Sequence, residues 1–191
     1  ILSEGSIRVN DLLTDGSGNI YFTGFFRGDP GDGRQDFDLG GQPEELIAAA
    51  GRDIYVAKAD SSGSLVWARG MKGSGLVEEG EALAQGPSGN IYVAGDFNGT
   101  VDFDPGPNSR ELTPAEAKDA FVQKLTPGGA LMWAKAIGGP QPDFATSLAV
   151  DPDGNIYVGG GFEDMADLDP GSGVDNVSAN GDGDFFIAKL N

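Results

Sequence analysis

Short apolar runs, each cut off by a turn rich in Gly, Pro, Ser or Asp, recur along the whole chain, and no long stretch holds a helical period. Ile54-Tyr55-Val56-Ala57 and Phe185-Phe186-Ile187-Ala188 are continuously apolar, the pattern of strands buried on both faces. Weaker runs at Ile7–Thr14, Glu81–Gln85 and Thr146–Val150 each precede a turn that ends in Gly-Asn, a hairpin signal. Second strands then read as Ile20–Gly24, Ile91–Gly95 and Ile156–Gly160. Third strands begin at Ile54, Ala120 and Phe185, after long connections. A further tight turn leads to fourth strands at Ser64–Arg69 and Ala130–Lys135. The pattern predicts an all-β chain.

These strands come in repeats. Gly-Asn-Ile-Tyr occurs at Gly18–Tyr21, Gly89–Tyr92 and Gly154–Tyr157. Asp-Phe-Asp or Asp-Leu-Asp occurs at Asp36–Asp38, Asp102–Asp104 and Asp167–Asp169, spaced by 66 and 65 residues. Blocks from Asp to Lys start at Asp53, Asp119 and Asp184, always 17 residues after the Asp-x-Asp block. Two Trp blocks, Leu65–Arg69 and Leu131–Lys135, lie 66 apart. Unit 1 carries five extra residues before Asp36, placed within Gly28–Gly33. Four-stranded antiparallel units repeated in this way and buried on both faces are blades of a β-propeller. Blade 1 is assigned to 1–72, blade 2 to 73–138 and blade 3 to 139–191. Blade 3 lacks its outer strand, because the period carries a third Trp block beyond Asn191. Gly24, Gly95 and Gly159 are read as sites of crowded backbone near the axis.

The succession Gly-Asn-Ile-Tyr-Val-x-Gly, Val-Asp-Phe-Asp-Pro-Gly, Asp-x-Phe-Val-x-Lys-Leu and Gly-x-Leu-x-Trp-Ala-Lys closely resembles the bacterial SBBP-type β-propeller repeat, over essentially the whole chain. The resemblance implies an extracellular or cell-surface protein and no particular activity. Unit 1 departs from it at Leu39, where units 2 and 3 have Pro105 and Pro170.

Composition narrows the chemistry. The 191 residues include no His and no Cys, which excludes imidazole acid–base catalysis, Ser-His-Asp and Cys-His systems, disulfides and iron–sulfur ligation. A net charge of −18 repels phosphate backbones and anionic headgroups, so neither nucleic acid nor a membrane is an expected partner. What remains is carboxylates, amides, hydroxyls and a few Lys and Arg. The strongest candidates are the aspartates of the long connections: Asp36 and Asp38, with Asp29 and Asp32 nearby, in unit 1; Asp96, Asp102 and Asp104 in unit 2; Asp164, Asp167 and Asp169, with Glu163, in unit 3. They admit two readings. Clustered carboxylates with loop carbonyls suit calcium; alternatively each Asp caps a turn while Pro-Gly sets the bend.

Trp67 and Trp133 read as packing between blades, and the recurrent Lys58, Lys124 and Lys189 as partners of repeat aspartates. Asn98-Gly99-Thr100 and Asn176-Val177-Ser178 match the N-glycosylation acceptor pattern. The expected function is a non-enzymatic scaffold or interaction module, calcium-stabilised at an acidic rim that is also open to glycan or protein ligands. The competing class is a carbohydrate-active enzyme with paired carboxylates. A buried, unpaired carboxylate in a channel pocket is its signature; exposed aspartates are the signature of the scaffold. With strand 3 of blade 3 open and two apolar blade faces uncovered, the segment is expected to assemble with further blades or with copies of itself, as ring or filament.

Overall fold

The computed structural model describes residues 6–28, 32–37, 44–49, 51–171 and 173–190. In the first unit the strands are β1 (Ser6–Thr14), β2 (Ile20–Arg27), β3 (Arg34–Asp36), β4 (Glu45–Ile47), β5 (Asp53–Ala59) and β6 (Leu65–Gly73). The second holds β7 (Glu78–Gln85), β8 (Ile91–Phe97), β9 (Val101–Asp102), β10 (Glu111–Leu112), β11 (Asp119–Leu125) and β12 (Leu131–Ile137). The third holds β13 (Asp143–Val150), β14 (Ile156–Phe162), β15 (Met165–Asp167), β16 (Asn176–Ser178) and β17 (Asp184–Leu190). The described residues contain no helix.

Main strands pair antiparallel in the order β1-β2-β5-β6, β7-β8-β11-β12 and β13-β14-β17. These are three blades of a β-propeller, the third with three strands. The first strand of each blade touches its counterpart, β1 against β7 and β7 against β13, so these strands line the inner side. Second strands run two or three residues further than the pattern indicates, to Arg27, Phe97 and Phe162, because Phe26, Phe97 and Phe162 pair with Asp53, Asp119 and Asp184 at the start of the third strands. The Asp-Ser-Pro-Gly turns close for a local reason. Asp15 Oδ1 accepts the N–H groups of Ser17 (2.8 Å) and Asn19 (3.0 Å), and Asp151 Oδ1 accepts those of Asp153 (3.0 Å) and Asn155 (2.9 Å).

Each long connection contains a short hairpin that the sequence reading treated as loop: β3–β4, β9–β10 and β15–β16. The hairpin of blade 2 continues the sheet of blade 1, with Lys72 opposite Asp102 and Gly73 opposite Val101. A single bridge, Gly138 to Asp167, ties the hairpin of blade 3 to blade 2 in the same way. These hairpins thus clasp blade 2 to blade 1 through two residue pairs and blade 3 to blade 2 through one. In unit 1 the insertion leaves and re-enters at a closed neck, where a Cβ on Gly28 would run into Gly33.

The repeated glycines have a different cause from the one expected. Each first strand bulges, between Val9 and Asp11, Gly80 and Ala82, and Ala145 and Ser147. Across from the bulge stand Gly24, Gly95 and Gly160, where a Cβ would strike the carbonyl oxygen of Arg8, Glu79 or Phe144. The third member is therefore Gly160, not Gly159. The bulged strand, rather than the propeller axis, forbids a side chain.

Two cores lie between blades. Tyr21, Ile54, Val56 and Met71 of blade 1 pack on Leu83, Val93, Phe97 and Phe121 of blade 2. Ala94, Ala120, Val122 and Ile137 of blade 2 pack on Ile156, Val158, Phe162 and Phe186 of blade 3. Both faces of the middle blade are buried, as continuous apolar strands require.

Candidate functional site

The Asp-x-Asp blocks are built as nested turns around an apolar plug. Asp102 Oδ1 accepts the N–H groups of Asp104 (3.0 Å) and Arg110 (2.8 Å), and Asp104 Oδ1 accepts that of Gly106 (2.8 Å). Asp167 Oδ1 likewise takes Asp169 (3.0 Å) and Asp175 (2.8 Å), and Asp169 Oδ1 takes Gly171 (2.7 Å). The residue between the two aspartates is driven inward. Phe103 is fully buried, with ring centroids 5.5 Å from Phe97 and 4.9 Å from Phe121. Phe37 makes the same contacts with Phe26 (5.9 Å) and Tyr55 (4.8 Å). The motif thus anchors each connection to its own blade, and the turn geometry follows from backbone N–H groups finding a carboxylate.

The other predicted acids are scattered. Asp36 is exposed on β3, opposite Glu45. Asp38 and Asp29 lie outside the described residues. Asp96 is buried on β8 and pairs with Lys118 at 3.2 Å. Asp164 is exposed, with φ of 57°, and its carbonyl oxygen accepts the Ala179 N–H at 2.6 Å. Among the described residues these acids do not gather in threes or more around a point that fits a metal ion.

The recurrent lysines stack on tyrosines instead of pairing with aspartates. Lys58, Lys124 and Lys189 sit over the rings of Tyr21, Tyr92 and Tyr157 at 4.8, 5.0 and 5.5 Å. Register explains the choice, since each Lys lies directly opposite its Tyr on the neighbouring strand. Trp67 and Trp133 extend the ladder, each edge-on to the same Tyr at 6.1 and 6.2 Å.

Four buried carboxylates at the blade junctions escaped the sequence reading. Asp53 opens β5 and Glu78 opens β7; Asp119 opens β11 and Asp143 opens β13. Asp53 and Asp119 recur 66 residues apart, and Glu78 and Asp143 recur 65 apart, so the signal was present as register. Burial first, then the nearby carboxylate for the second of each pair, raises their pKa values. Asp53 and Asp119 reach about 6, and Glu78 and Asp143 about 7. Burial and the neighbouring Glu79 bring Glu81 to about 7 as well.

A pH dependence follows. These groups hold their protons in the fold at pH values where the unfolded chain, near 3.8 to 4.5, has released them. Their contribution is complete below about pH 4 and is lost as pH rises through 6 to 7. In chelator, the melting temperature is expected to fall between pH 4.5 and 7.5. Glu78→Gln with Asp143→Asn should flatten that slope; a melting temperature that climbs across the range contradicts the assignment.

Among the described residues, one cavity of about 490 Å³ is lined by Phe144, Gly160, Glu163, Asp182, Asp184 and Phe185, and another of about 330 Å³ lies at the rim beside Asp104 and Pro105. Neither is lined by any of the four. The first opens on the far face of blade 3, where Phe185 and Ile187 are 78% and 71% exposed. Their repeat equivalents, Ile54 and Val56 in blade 1 and Ala120 and Val122 in blade 2, are 0% exposed. The expectation of two open faces is corrected at blade 1. There Phe37, Leu46 and Ala48 from its own connection cover Phe26, Tyr55 and Ala57, leaving Ile7, Val9 and Leu12 exposed on β1.

Comparison with known proteins agrees with this architecture. Residues 133–160, from the outer strand of blade 2 into the second strand of blade 3, match the family model of the SBBP β-propeller repeat. The regulatory protein FlaEY of Caulobacter vibrioides is 30% identical over 170 residues, which is 88% of this chain and 17% of that protein. An uncharacterized WD repeat-containing protein, L264, of Acanthamoeba polyphaga mimivirus is 25% identical over 211 residues, 98% of this chain and 15% of its own. The chain spans about a sixth of the length of these relatives.

Proposed function

We propose that this chain is a non-enzymatic interaction module of the cell surface or exterior, which joins further propeller blades through the far face of blade 3. One observation carries the reading. The repeat positions of Phe185 and Ile187 are fully enclosed in blades 1 and 2, each of which packs on the blade after it, and are open on blade 3. Burying apolar side chains is the main driving force for association, and the shape already fits a partner of the same repeat type. That partner is a blade of a longer propeller or a second copy of the chain; two copies give six blades, within the range of known propellers. The greater length of both relatives favours additional blades, and the name of FlaEY accords with a role exercised through contacts. The surface location rests on the resemblance of the repeat motifs. Calcium belongs to the reading as a stabiliser, not a reagent.

Sedimentation of the 191-residue chain against Phe185→Asp/Ile187→Asp tests the docking face. The double variant should shift to the monomer and stay folded, since both side chains face solvent in the single chain. An unchanged sedimentation profile overturns the assignment.

A further inference from the structure

The two blade junctions share an arrangement that packing does not explain. At the first, the Gly73 N–H donates to Asp53 Oδ1 at 3.1 Å, and a Cβ on Gly73 would stand 2.7 Å from Glu78 Cδ and Oε1. At the second, the Gly139 N–H donates to Asp143 Oδ2 at 2.7 Å. A Cβ on Gly138 there would stand 2.6 Å from Asp143 Oδ2 and 2.9 Å from Asp119 Oδ1. In each case one acid from a third strand and one from the next blade's first strand converge on a glycine at the end of the outer strand or just past it. A Cβ there would press on the carboxylates.

These carboxylates are enclosed, and all but Asp53, whose two oxygens accept the Ala49 N–H at 2.6 Å and the Gly73 N–H at 3.1 Å, keep an unpartnered oxygen. Asp53, Glu78 and Asp143 are 0% exposed and Asp119 is 5% exposed. Glu78 Oε1 and Oε2, Asp119 Oδ1 and Asp143 Oδ1 have no hydrogen-bond partner. Among the described residues no Lys or Arg forms an ion pair with any of the four; Lys118 pairs with Asp96 and Arg52 with Glu79. A carboxylate can only accept, so a buried pair with spare oxygens calls for a positive partner that the side chains do not supply.

We propose that each junction is a binding site for a hard divalent cation of the calcium type, held by Asp53 with Glu78 and by Asp119 with Asp143. The donors on hand are carboxylate oxygens, and a chain without His or Cys offers neither imidazole nor thiolate to softer metals. Calcium accepts irregular all-oxygen surroundings, whereas magnesium holds several waters in a strict octahedron, which suits an enclosed junction less. A net charge of −18 concentrates cations around the fold. The cation would join strands of successive blades, at the first junction beside the Arg52–Glu79 ion pair. This extends the calcium part of the proposed function but moves it from the rim to the junctions, and it is separable from docking, since both sites lie within the chain.

The test is calorimetric titration of the chelator-treated full chain with calcium chloride, alongside melting curves, with magnesium chloride as comparator. Two calcium ions per chain and a higher melting temperature are expected. Asp143→Asn or Asp119→Asn should leave one site, Glu78→Gln should leave the other, and Asp104→Asn should leave both. Neutralised variants should melt no lower than the untreated apo chain, because each removes an unpaired charge; either acid of a pair serves if the other variant does not fold. Three results overturn the proposal: no binding heat with superimposable melts, binding lost in Asp104→Asn but kept in Asp143→Asn and Glu78→Gln, or neutralisation that stabilises a chain that never takes up calcium.

Discussion

Phe103→Ala is expected to lower the unfolding free energy by about 3–5 kcal/mol, the range for deleting a buried aromatic ring. Phe103 is fully enclosed and touches Phe97 and Phe121, while its carbonyl oxygen accepts the Gln123 Nε2 donor at 2.7 Å. Removing the ring leaves a cavity between the blade and its clasp, and loosens β9 and β10 from β6 of blade 1. Asp104→Ala, one residue on, loses only the half-exposed turn bond to Gly106 and should cost about 1 kcal/mol or less. Urea unfolding measures both. Equal losses at the two positions would contradict the division of the motif into an apolar plug and polar turn caps.

Trp67→Ala should cost a similar 3–5 kcal/mol, and Trp133→Ala about half as much. The two residues occupy one repeat position but not one environment. Trp67 is buried, because the turn of blade 2 closes over it; a Cβ on Gly129 would stand 3.2 Å from its ring. Trp133 is half-buried, and the corresponding turn of a next blade does not cover it in the described residues. Denaturation of each variant, in buffer where the chain is dispersed, gives the comparison. A Trp133 loss as large as that of Trp67 would mean that the blade's own ladder of Tyr and Lys, and not the neighbour, supplies the burial.

The main strands, the blade count and the repeat register were legible because each depends on local signals that recur: Gly-Asn turns, apolar runs and Trp blocks. Side-chain partners were not. Whether Lys124 meets Asp or Tyr depends on cross-strand register, and the structure sets it opposite Tyr92. The 65-residue period itself carries Gly95 onto Gly160; what a one-dimensional pattern does not carry is the bulge in the facing strand, which is the reason for the glycine. The short hairpins were hidden because β9 and β10 have two residues each and owe their pairing to β6, a strand about thirty residues away in sequence. Among the acids, the Asp-x-Asp blocks stand out in the sequence by recurrence, and there one oxygen of Asp102, Asp104, Asp167 and Asp169 caps a turn. Asp119 and Asp143 are set apart by enclosure, a property of two blades together.

The account turns on the far face of blade 3 being a junction face, and the mass of the chain in solution tests it most directly. Light scattering on the purified 191-residue chain at micromolar concentration should return a multiple of 19.7 kDa, falling toward the monomer on dilution. A stable, dispersed 19.7 kDa species over the whole concentration range would contradict it.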